Sequence, residues 1–348
     1  MNRKILILVG ILISVFFLWY SLKGTDFGEI GEGLARANFW LCIPLLTAFC
    51  TYYWIKAIRW RMLLEPMKKT TAREIFSPMM IGFMFNNILP AHLGEFVRMV
   101  LGARQLGLRN TQVLATIVLE RVFDILSVVL FLGIAILVDR NVDPDLVTVG
   151  YITSALGAVF MVVTVLYVTW TEGFLALLNR VTFFIPPLSR IRGLGFLLKL
   201  RNGIIHQLEI GVQGLYALKK PRLLFGIVLT SLLQWSFMGL SAYIAMLAVG
   251  IDTPLSAGFV VLAATTFGVT LPAAPGFLGT IQAMFKAALV PYGVSADAAF
   301  AASAFFHVPT YLIVTLPGLY LLRRTGYKLR QIQQEAEAAA GKGEGAED

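Results

Sequence analysis

Six ionisable residues lie in stretches of this sequence that are otherwise apolar, and they are Glu95, Arg98, Glu120, Arg121, Asp124 and Lys286. An ionisable side chain within a membrane span costs about 2.5–3.5 kcal/mol on insertion scales, so such residues need a partner, a water-filled cavity or a function. The formal charges of the six sum to zero, which favours a mutually paired cluster in a polar cavity. The alternative is a set of ion pairs that only lock helices together. The sequence leaves both interpretations open.

The spacing of these residues places them on shared helix faces. Residues three or four positions apart are neighbours on a helix, and the pairs Glu120–Asp124 and Gln282–Lys286 are both four apart. Guanidinium groups bind phosphate through two parallel hydrogen bonds, and carboxylates can hold those cations in place or bind a cationic headgroup. The substrate-binding residues are therefore expected to be His92, Glu95, Arg98, Glu120, Arg121, Asp124, Gln282 and Lys286.

Two copies of one short motif, LPAxxG, interrupt the apolar sequence at residues 89–94 and 271–276. Proline removes a helical hydrogen-bond donor and glycine permits tight bends, so each copy predicts a break between two short helices. Such breaks persist at membrane depth only where protein or a water-filled cavity covers them, and paired breaks indicate a transporter's binding site. The residues expected at the turns are Asn86, Asn87, Pro90, Gly94, Pro272, Pro275, Gly276 and Gly279.

The composition is typical of a polytopic membrane protein. Of the 348 residues, 57% are hydrophobic and 14% are charged, and the mean hydropathy is +0.76. Soluble domains contain about 25% charged residues. Several apolar runs also exceed the roughly 18 residues that mark a membrane-spanning helix. A soluble globular protein is therefore excluded.

The apolar runs predict an all-α fold with about six full transmembrane helices and two re-entrant hairpins. The crossings are expected at residues 5–20, 39–58, 113–138, 146–170, 223–249 and 298–322, and the hairpins at 75–107 and 254–292. One hairpin enters from the cytoplasm and the other from outside, so the two are oppositely oriented and related as an inverted repeat. A rival topology makes each hairpin arm a complete span. Its weakness is that the arm at 276–290 extends only about 22 Å, against roughly 30 Å of hydrocarbon.

The distribution of lysine and arginine predicts the orientation in the membrane. Most of the 29 basic residues fall in segments that this topology places in the cytoplasm, and Lys56 and Arg59 are counted among them. The external loops are acidic instead. Both termini are therefore expected in the cytoplasm, in a multi-pass protein of the cytoplasmic (inner) membrane. Residues 5–20 are expected to remain as the first helix rather than to be removed as a signal peptide.

A single integral membrane domain is expected over residues 1–330. Its first half covers about 1–170 and its second half 223–325, with a basic segment at 173–221 between them. Helical spacing in that segment indicates an amphipathic helix on the inner membrane surface, and a packed cytoplasmic connector is the alternative. The final residues, 331–348, are expected to form a disordered acidic cytoplasmic tail.

The sequence contains no signature of an enzyme or of a metal site. It has no Walker loop, no HExxH and no GxSxG, and its three histidines are widely scattered. Neither a cofactor nor a nucleic-acid partner is expected. Asn86 and Asn87 have two interpretations: they could bind substrate, or they could satisfy backbone groups that Pro90 frees. His307 is expected to be a hydrogen-bonded packing residue.

Three stretches resemble the signature motifs of the lysylphosphatidylglycerol synthase transmembrane-region family, also called flippase-like membrane proteins. They are residues 86–98, residues 119–124 and the Pro-Gly-x-x-Gly turn at 275–279. The resemblance extends from about residue 5 to residue 325. It implies flipping or handling of lipids such as aminoacylated phosphatidylglycerol, glycolipid precursors or hopanoid-related lipids. It also implies functional roles for Glu95, Arg98, Glu120, Arg121 and Asp124.

The expected function is that of a lipid flippase or transporter. Bifunctional members of the resembled family continue into a soluble aminoacyl-transferase domain, and no such domain is expected here, so the resemblance implies lipid transport without lipid synthesis. The expected partner is a membrane lipid, namely a phospholipid, an aminoacylated lipid, a glycolipid or a polyprenyl lipid. Two alternatives stay open: a non-catalytic protein that presents a lipid to a separate glycosyltransferase or synthase, and a small-solute transporter.

Overall fold

The computed structural model of this chain describes residues 15–89, 93–139, 216–270 and 275–325, together with scattered positions between 147 and 180. These residues form helices and turns, and no strand occurs among them. Residues 15–22 are helical. The helices that follow are α1 (Phe27–Ala35), α2 (Cys42–Leu64), α3 (Ala72–Ile88), α4 (Gly94–Leu106), α5 (Asn110–Val138), α6 (Pro221–Ala248), α7 (Leu255–Thr270), α8 (Thr280–Leu289) and α9 (Ala296–Thr325). Short 3-10 segments cover Phe39–Leu41, Tyr216–Lys219, Pro275–Phe277 and Val290–Tyr292.

Four of these helices are long and apolar enough to cross a membrane. They are α2 with its preceding 3-10 turn, α5, α6 and α9, and their mean hydropathy lies between 1.4 and 2.4. The chain is therefore a helical integral membrane protein with several spans. Two further predicted crossings, at 5–20 and 146–170, lie largely outside the described residues, as do most of the basic segment 173–221 and the whole tail at 331–348.

Two pairs of short helices alternate with these spans. In the first broken pair, α3 ends at Ile88 and α4 begins at Gly94. In the second broken pair, α7 ends at Thr270 and α8 begins at Thr280. Among the described residues, the order of one long helix, two short helices and one long helix occurs twice. Each pair of short helices is interrupted where the sequence predicts a break.

Glycine permits the second break because the backbone there takes conformations that L-side chains rarely adopt. Gly276 has a φ of 73° and Gly279 a φ of 82°. In the first break, Leu89 leaves α3 with an extended backbone (φ −103°, ψ 145°). The centres of the two motifs, at 90–92 and 271–274, lie outside the described residues.

Close glycine contacts fold the first broken pair into a helical hairpin. A Cβ atom on Gly82 would lie 2.8 Å from the carbonyl oxygen of Gly94, and one on Gly94 would collide with the Gly82 carbonyl and with Asn86. At the open end of this hairpin, the Gln105 side chain donates to the carbonyl oxygen of Glu74 at 2.6 Å. The helices α3 and α4 therefore pack antiparallel, with the break at their tip.

The two halves of the chain join along α2 and α6, which pack antiparallel. At one end, the Asn38 N–H donates to the carbonyl oxygen of Ala248 at 2.7 Å. At the other end, a Cβ on Gly226 would lie 2.7 Å from the sulfur of Met62. The start of one helix thus lies beside the end of the other.

Each hairpin also packs against a long helix of the opposite half. Asn87 at the end of α3 donates to the Thr315 hydroxyl of α9 at 3.0 Å. Phe259 of α7 stacks on Phe131 of α5 with ring centroids 4.8 Å apart. The first broken pair therefore packs against α9, and the second broken pair packs against α5.

The hairpins begin at opposite ends of the helical bundle. α3 starts beside the C-terminal end of α2, where Ile75 belongs to the same apolar core as Leu64. α7 starts beside the C-terminal end of α5, where Ser256 donates to Asp139 at 3.0 Å. Because the end of α2 lies beside the start of α5, these two C-terminal ends face opposite directions. The breaks approach each other inside the bundle.

Candidate functional site

Five charged side chains are buried together inside the helical bundle, and we call them the charged cluster: Lys56, Arg59, Arg98, Glu120 and Asp124. None of the five is more than 3% exposed. Three helices supply them: two come from α2, one from α4 and two from α5. Helical spacing of three residues in α2 and four residues in α5 turns each pair of side chains towards the same neighbour.

All three cations of the cluster, Lys56, Arg59 and Arg98, lie close to the carboxylate of Glu120. Arg98 donates to both of its oxygens, through Nη1 at 3.1 Å and Nη2 at 2.6 Å. Lys56 Nζ lies 2.8 Å from Oε1, and Arg59 Nη2 lies 3.5 Å from the same oxygen. The two-pronged arginine contact fixes the orientation of the carboxylate.

Asp124 is the second anion, and it links the two halves of the chain. Its Oδ1 accepts from Arg59 Nη2 at 2.6 Å and its Oδ2 accepts from Lys56 at 3.2 Å. From α6, Gln234 and Trp235 also donate to Oδ1, at 2.9 and 2.8 Å. A buried carboxylate is stable only with such full hydrogen bonding.

Aromatic rings cover the buried cations. The Arg98 guanidinium lies 3.8 Å from the centroid of Trp60, whose indole N–H donates to Thr116 at 3.0 Å. Lys56 lies 5.7 Å from the ring centroids of both Tyr52 and Phe83. Ring faces are negative, so these contacts partly replace the hydration that the cations lose on burial.

An outer ion pair lies beside the cluster. Arg121 donates to Oε1 of Glu95, and its Nη1 lies 3.8 Å from Asp124. The Arg121 side chain is 45% exposed and that of Glu95 is 15% exposed. The pair therefore stands between the buried charges and the surface of the described bundle.

Lys56 and Arg59 were assigned wrongly from the sequence. The Lys/Arg distribution counts them with the cytoplasmic basic residues, because both lie near the expected end of the second crossing at residue 58. In the structure α2 continues to Leu64, and both side chains lie inside the bundle. The signal that could have found them is their spacing of three residues within an apolar run.

Lys286 does not join the charged cluster. Its ammonium donates to the carbonyl oxygens of Tyr20 and Lys23, at 3.1 and 2.5 Å. The sequence predicts six ionisable residues with no net charge. The charged cluster instead contains three cations and two carboxylates. None of the charges in the cluster comes from the second broken pair, so the expected charged site between the two hairpins is displaced onto α2, α4 and α5.

Polar, uncharged residues occupy the junction where the two breaks approach each other. A Cβ on Gly276 would lie 3.5 Å from the carbonyl oxygen of Asn87. The Gly279 N–H donates to Oε1 of Gln282 at 2.8 Å, and Nε2 of Gln282 lies 3.2 Å from Nδ1 of His307. His307 is thus a buried, hydrogen-bonded residue, as the sequence predicted.

Three of the expected residues cannot be placed. The expected substrate-binding residue His92 and the expected turn residues Pro90 and Pro272 are outside the described residues. Within the described ranges, no group of three or more His, Cys, Asp or Glu side chains is arranged to hold a metal ion. The carboxylates of the cluster are bound by Lys and Arg instead, an arrangement suited to exchanging one anion for another.

Comparison with known proteins relates this chain to one group of membrane proteins. A family model described as the lysylphosphatidylglycerol synthase TM region matches residues 7–318. Glycosyltransferase AglD of Haloferax volcanii is 25% identical over 350 residues, which cover 91% of this chain and 54% of that protein. The UPF0104 membrane protein PH1989 of Pyrococcus horikoshii is 21% identical over 328 residues, covering 91% of this chain and 96% of that protein. This chain therefore spans about half the length of the first relative and nearly all of the second.

Proposed function

This chain belongs to the lysylphosphatidylglycerol synthase TM-region family, and we propose that it carries the polar headgroup of a membrane lipid across the bilayer. The observation that carries this proposal is the charged cluster, buried between two membrane-spanning helices, α2 and α5, and the short helix α4 that follows a helix break. Burying an ionisable side chain within a membrane costs free energy. Such residues are therefore rare, and they commonly line the pathway of a transported substrate or ion.

The fold supports transport through an inverted repeat. The order of span, broken pair and span occurs twice, α2 and α6 pack antiparallel, and the two broken pairs begin at opposite ends of the bundle. We assign the broken pairs as re-entrant hairpins, each returning to its own side of the membrane. Transporters built in this way bind substrate near the midplane, where the discontinuous helices meet.

Arginine and lysine would bind the lipid phosphate. Arg98 and Arg121 offer planar guanidinium groups, and Lys56 and Arg59 add positive charge behind them. Glu95, Glu120 and Asp124 hold these cations while no lipid is bound, and an arriving phosphate exchanges with them. The acyl chains stay in the bilayer while the headgroup crosses.

The outer pair gives this proposal its sharpest test. Glu95→Gln removes the carboxylate that holds Arg121 but leaves the buried cluster intact, so it should slow headgroup translocation without unfolding the protein. Translocation is measured in proteoliposomes with a membrane-impermeant headgroup reagent. The matched control is Glu32→Gln, which removes an exposed carboxylate paired with Arg36 at 2.9 Å in α1. If neither wild type nor variant moves any lipid, the transport proposal is wrong.

A second candidate function follows from one relative. The name of the Haloferax volcanii relative is that of a glycosyltransferase, and this chain corresponds to about half of it. Here the chain would present a lipid to a separate glycosyltransferase. Such a partner would copurify with the chain, and the complex would keep its glycosyl-transfer rate in the Glu95→Gln variant.

A further inference from the structure

Some of the buried hydrogen-bonding atoms that have no partner among the described residues lie in two neighbouring places. At the charged cluster, Arg59 Nε and Arg98 Nε find no acceptor among the described residues, and Oε1 of Gln234, whose amide donates to Asp124, finds no donor. At the break of the first broken pair, Asn86 Oδ1 finds no described donor, and neither does Glu95 Oε2. Buried polar atoms normally have partners, so atoms left unpaired within a bundle are ready to bind a ligand.

The type of unpaired atom differs between the two places. The cluster is left with two N–H donors, both on arginines, and one acceptor, Gln234 Oε1, whereas the break is left with oxygen acceptors among the described residues. A ligand that satisfies both places must accept hydrogen bonds at one end and donate them at the other. A phosphodiester with a hydroxyl-bearing headgroup has this pattern, because its phosphate oxygens accept and its hydroxyls donate.

The formal charge of the cluster specifies the charge of that ligand. Among the described residues, three buried cations meet two buried carboxylates, which leaves one positive charge in excess. The outer pair of Glu95 and Arg121 is neutral in total and does not change this balance. One phosphodiester would neutralise the excess, whereas a zwitterionic lipid would leave it uncompensated and buried.

The two places are also a headgroup's length apart. Asn86 packs against Gly94, and Arg98 follows on α4 one turn later, which corresponds to about 6 Å along the helix axis. Glu95 lies between them on the same helix. The junction beyond Asn86 contains Asn87, Gln282 and His307, and none of these side chains carries a fixed charge.

We propose that the site selects a lipid with one anionic phosphodiester and an uncharged, hydroxyl-rich headgroup, such as a glycerol or sugar phosphodiester. The phosphate binds at Arg59 and Arg98, and the hydroxyls bind at Asn86 and the junction. This inference rests on the proposed lipid transport and names its substrate class. Zwitterionic and aminoacylated lipids are disfavoured because they bring a positive charge to a site that already has one in excess.

The test uses four lipids whose headgroups differ in net charge and in the presence of a polyol, so that the two properties can be tested separately. Phosphatidylglycerol and phosphatidylinositol have one negative charge and a polyol, phosphatidylserine has the same net charge with an ammonium group, and phosphatidylethanolamine is zwitterionic. External periodate reports diol headgroups and an impermeant amine reagent reports the other two in proteoliposomes. Native mass spectrometry of the detergent-purified protein measures lipid retention separately, with inorganic phosphate as a competitor.

Two variants test the two parts of the site. Asn86→Leu keeps the side-chain size and removes the acceptor, so the preference for phosphatidylglycerol over phosphatidylserine should fall about tenfold, as for loss of one hydrogen bond to a ligand. Lys56→Met removes the excess charge, so the preference for phosphatidylglycerol over phosphatidylethanolamine should fall by a similar factor. The controls are Asn110→Leu and Lys68→Met, both at exposed positions.

The outcomes separate this inference from the proposed transport. Selective movement of the two polyol lipids by wild type supports both. Equal movement of all four lipids overturns the selectivity and leaves transport standing. Selective retention of the polyol lipids without movement supports the selectivity and overturns transport. Displacement of bound lipid by inorganic phosphate alone, or equal retention of all four, overturns the inference whether or not the variants fold.

Discussion

At the scale of single residues, the charged cluster combines groups that the sequence could identify with groups that it could not. Arg98, Glu120 and Asp124 interrupt apolar stretches, so the high cost of burying a charge makes them visible. Lys56 and Arg59 are hidden by the positive-inside rule, which assigns basic residues near a helix end to the cytoplasm. Only the packing of α2 against α5 and α6 shows that they are buried.

Asp124 should be the residue on which the cluster depends most. It accepts from Arg59, Lys56, Gln234 and Trp235, so Asp124→Asn leaves two buried cations short of an anion. Removing one partner of a buried ion pair costs about 3–5 kcal/mol. We expect a loss of that size in the free energy of unfolding, measured by denaturant titration in detergent micelles.

The control for this change is the exposed pair of Glu32 and Arg36. Glu32→Gln should cost less than about 1 kcal/mol, as surface ion pairs usually do. An Asp124→Asn variant as stable as the Glu32→Gln variant would mean that the cluster is hydrated rather than packed.

At the scale of elements, the sequence locates both breaks but not the way in which the hairpins pack. Proline and glycine mark where α3 and α7 must end, because they remove helical hydrogen bonds and allow bends. The close approach within the first hairpin depends on Gly94, which ends the first LPAxxG motif, and on Gly82, which lies twelve positions earlier and belongs to no motif. The crosswise packing of each hairpin on the opposite half is likewise a tertiary property.

Gly94→Ala should destabilise the first broken pair. The added Cβ would collide with the Gly82 carbonyl oxygen and with Asn86, and overpacking of this kind costs about 1–3 kcal/mol. In contrast, Gly133→Ala in α5 meets nothing within 4 Å and should be neutral or stabilising by up to about 1 kcal/mol. Melting temperatures of the two purified variants measure the difference, and equal melting temperatures would contradict the described hairpin.

At the scale of the whole molecule, the repeated order of helices is visible in the sequence as two similar halves. The contacts show what joins them. The spans α2 and α6 pack antiparallel, and each hairpin packs against a long helix of the other half. The position of the charges could not be predicted at this scale. The sequence placed them between the hairpins, whereas the structure places them against the first hairpin and α6.

The proposed topology predicts the side of the membrane on which each loop lies. In a variant without Cys42 and Cys50, a cysteine at Lys219 should react only with reagent on the cytoplasmic side, and one at Asp252 only with external reagent. Both native residues are exposed, so reactivity reports the compartment. Labelling of both positions from the same side would contradict the inverted repeat.

Opening of the bundle is required for any headgroup to reach the cluster, because the five side chains are buried. We expect this opening to move the first hairpin relative to α9, which Asn87 contacts through a 3.0 Å hydrogen bond to the Thr315 hydroxyl. Paired cysteines at these two positions allow the interface to be linked and released. This makes the motion itself open to measurement.

The measurement that tests the account most directly is headgroup translocation in proteoliposomes by the Asn87→Cys, Thr315→Cys protein lacking Cys42 and Cys50, before and after oxidation. The proposed transport requires movement of lipid headgroups in the reduced protein, arrest when the two cysteines are linked, and recovery when the link is reduced. Translocation at the same rate in the linked and reduced protein, or none in either state of a stably folded protein, would contradict it.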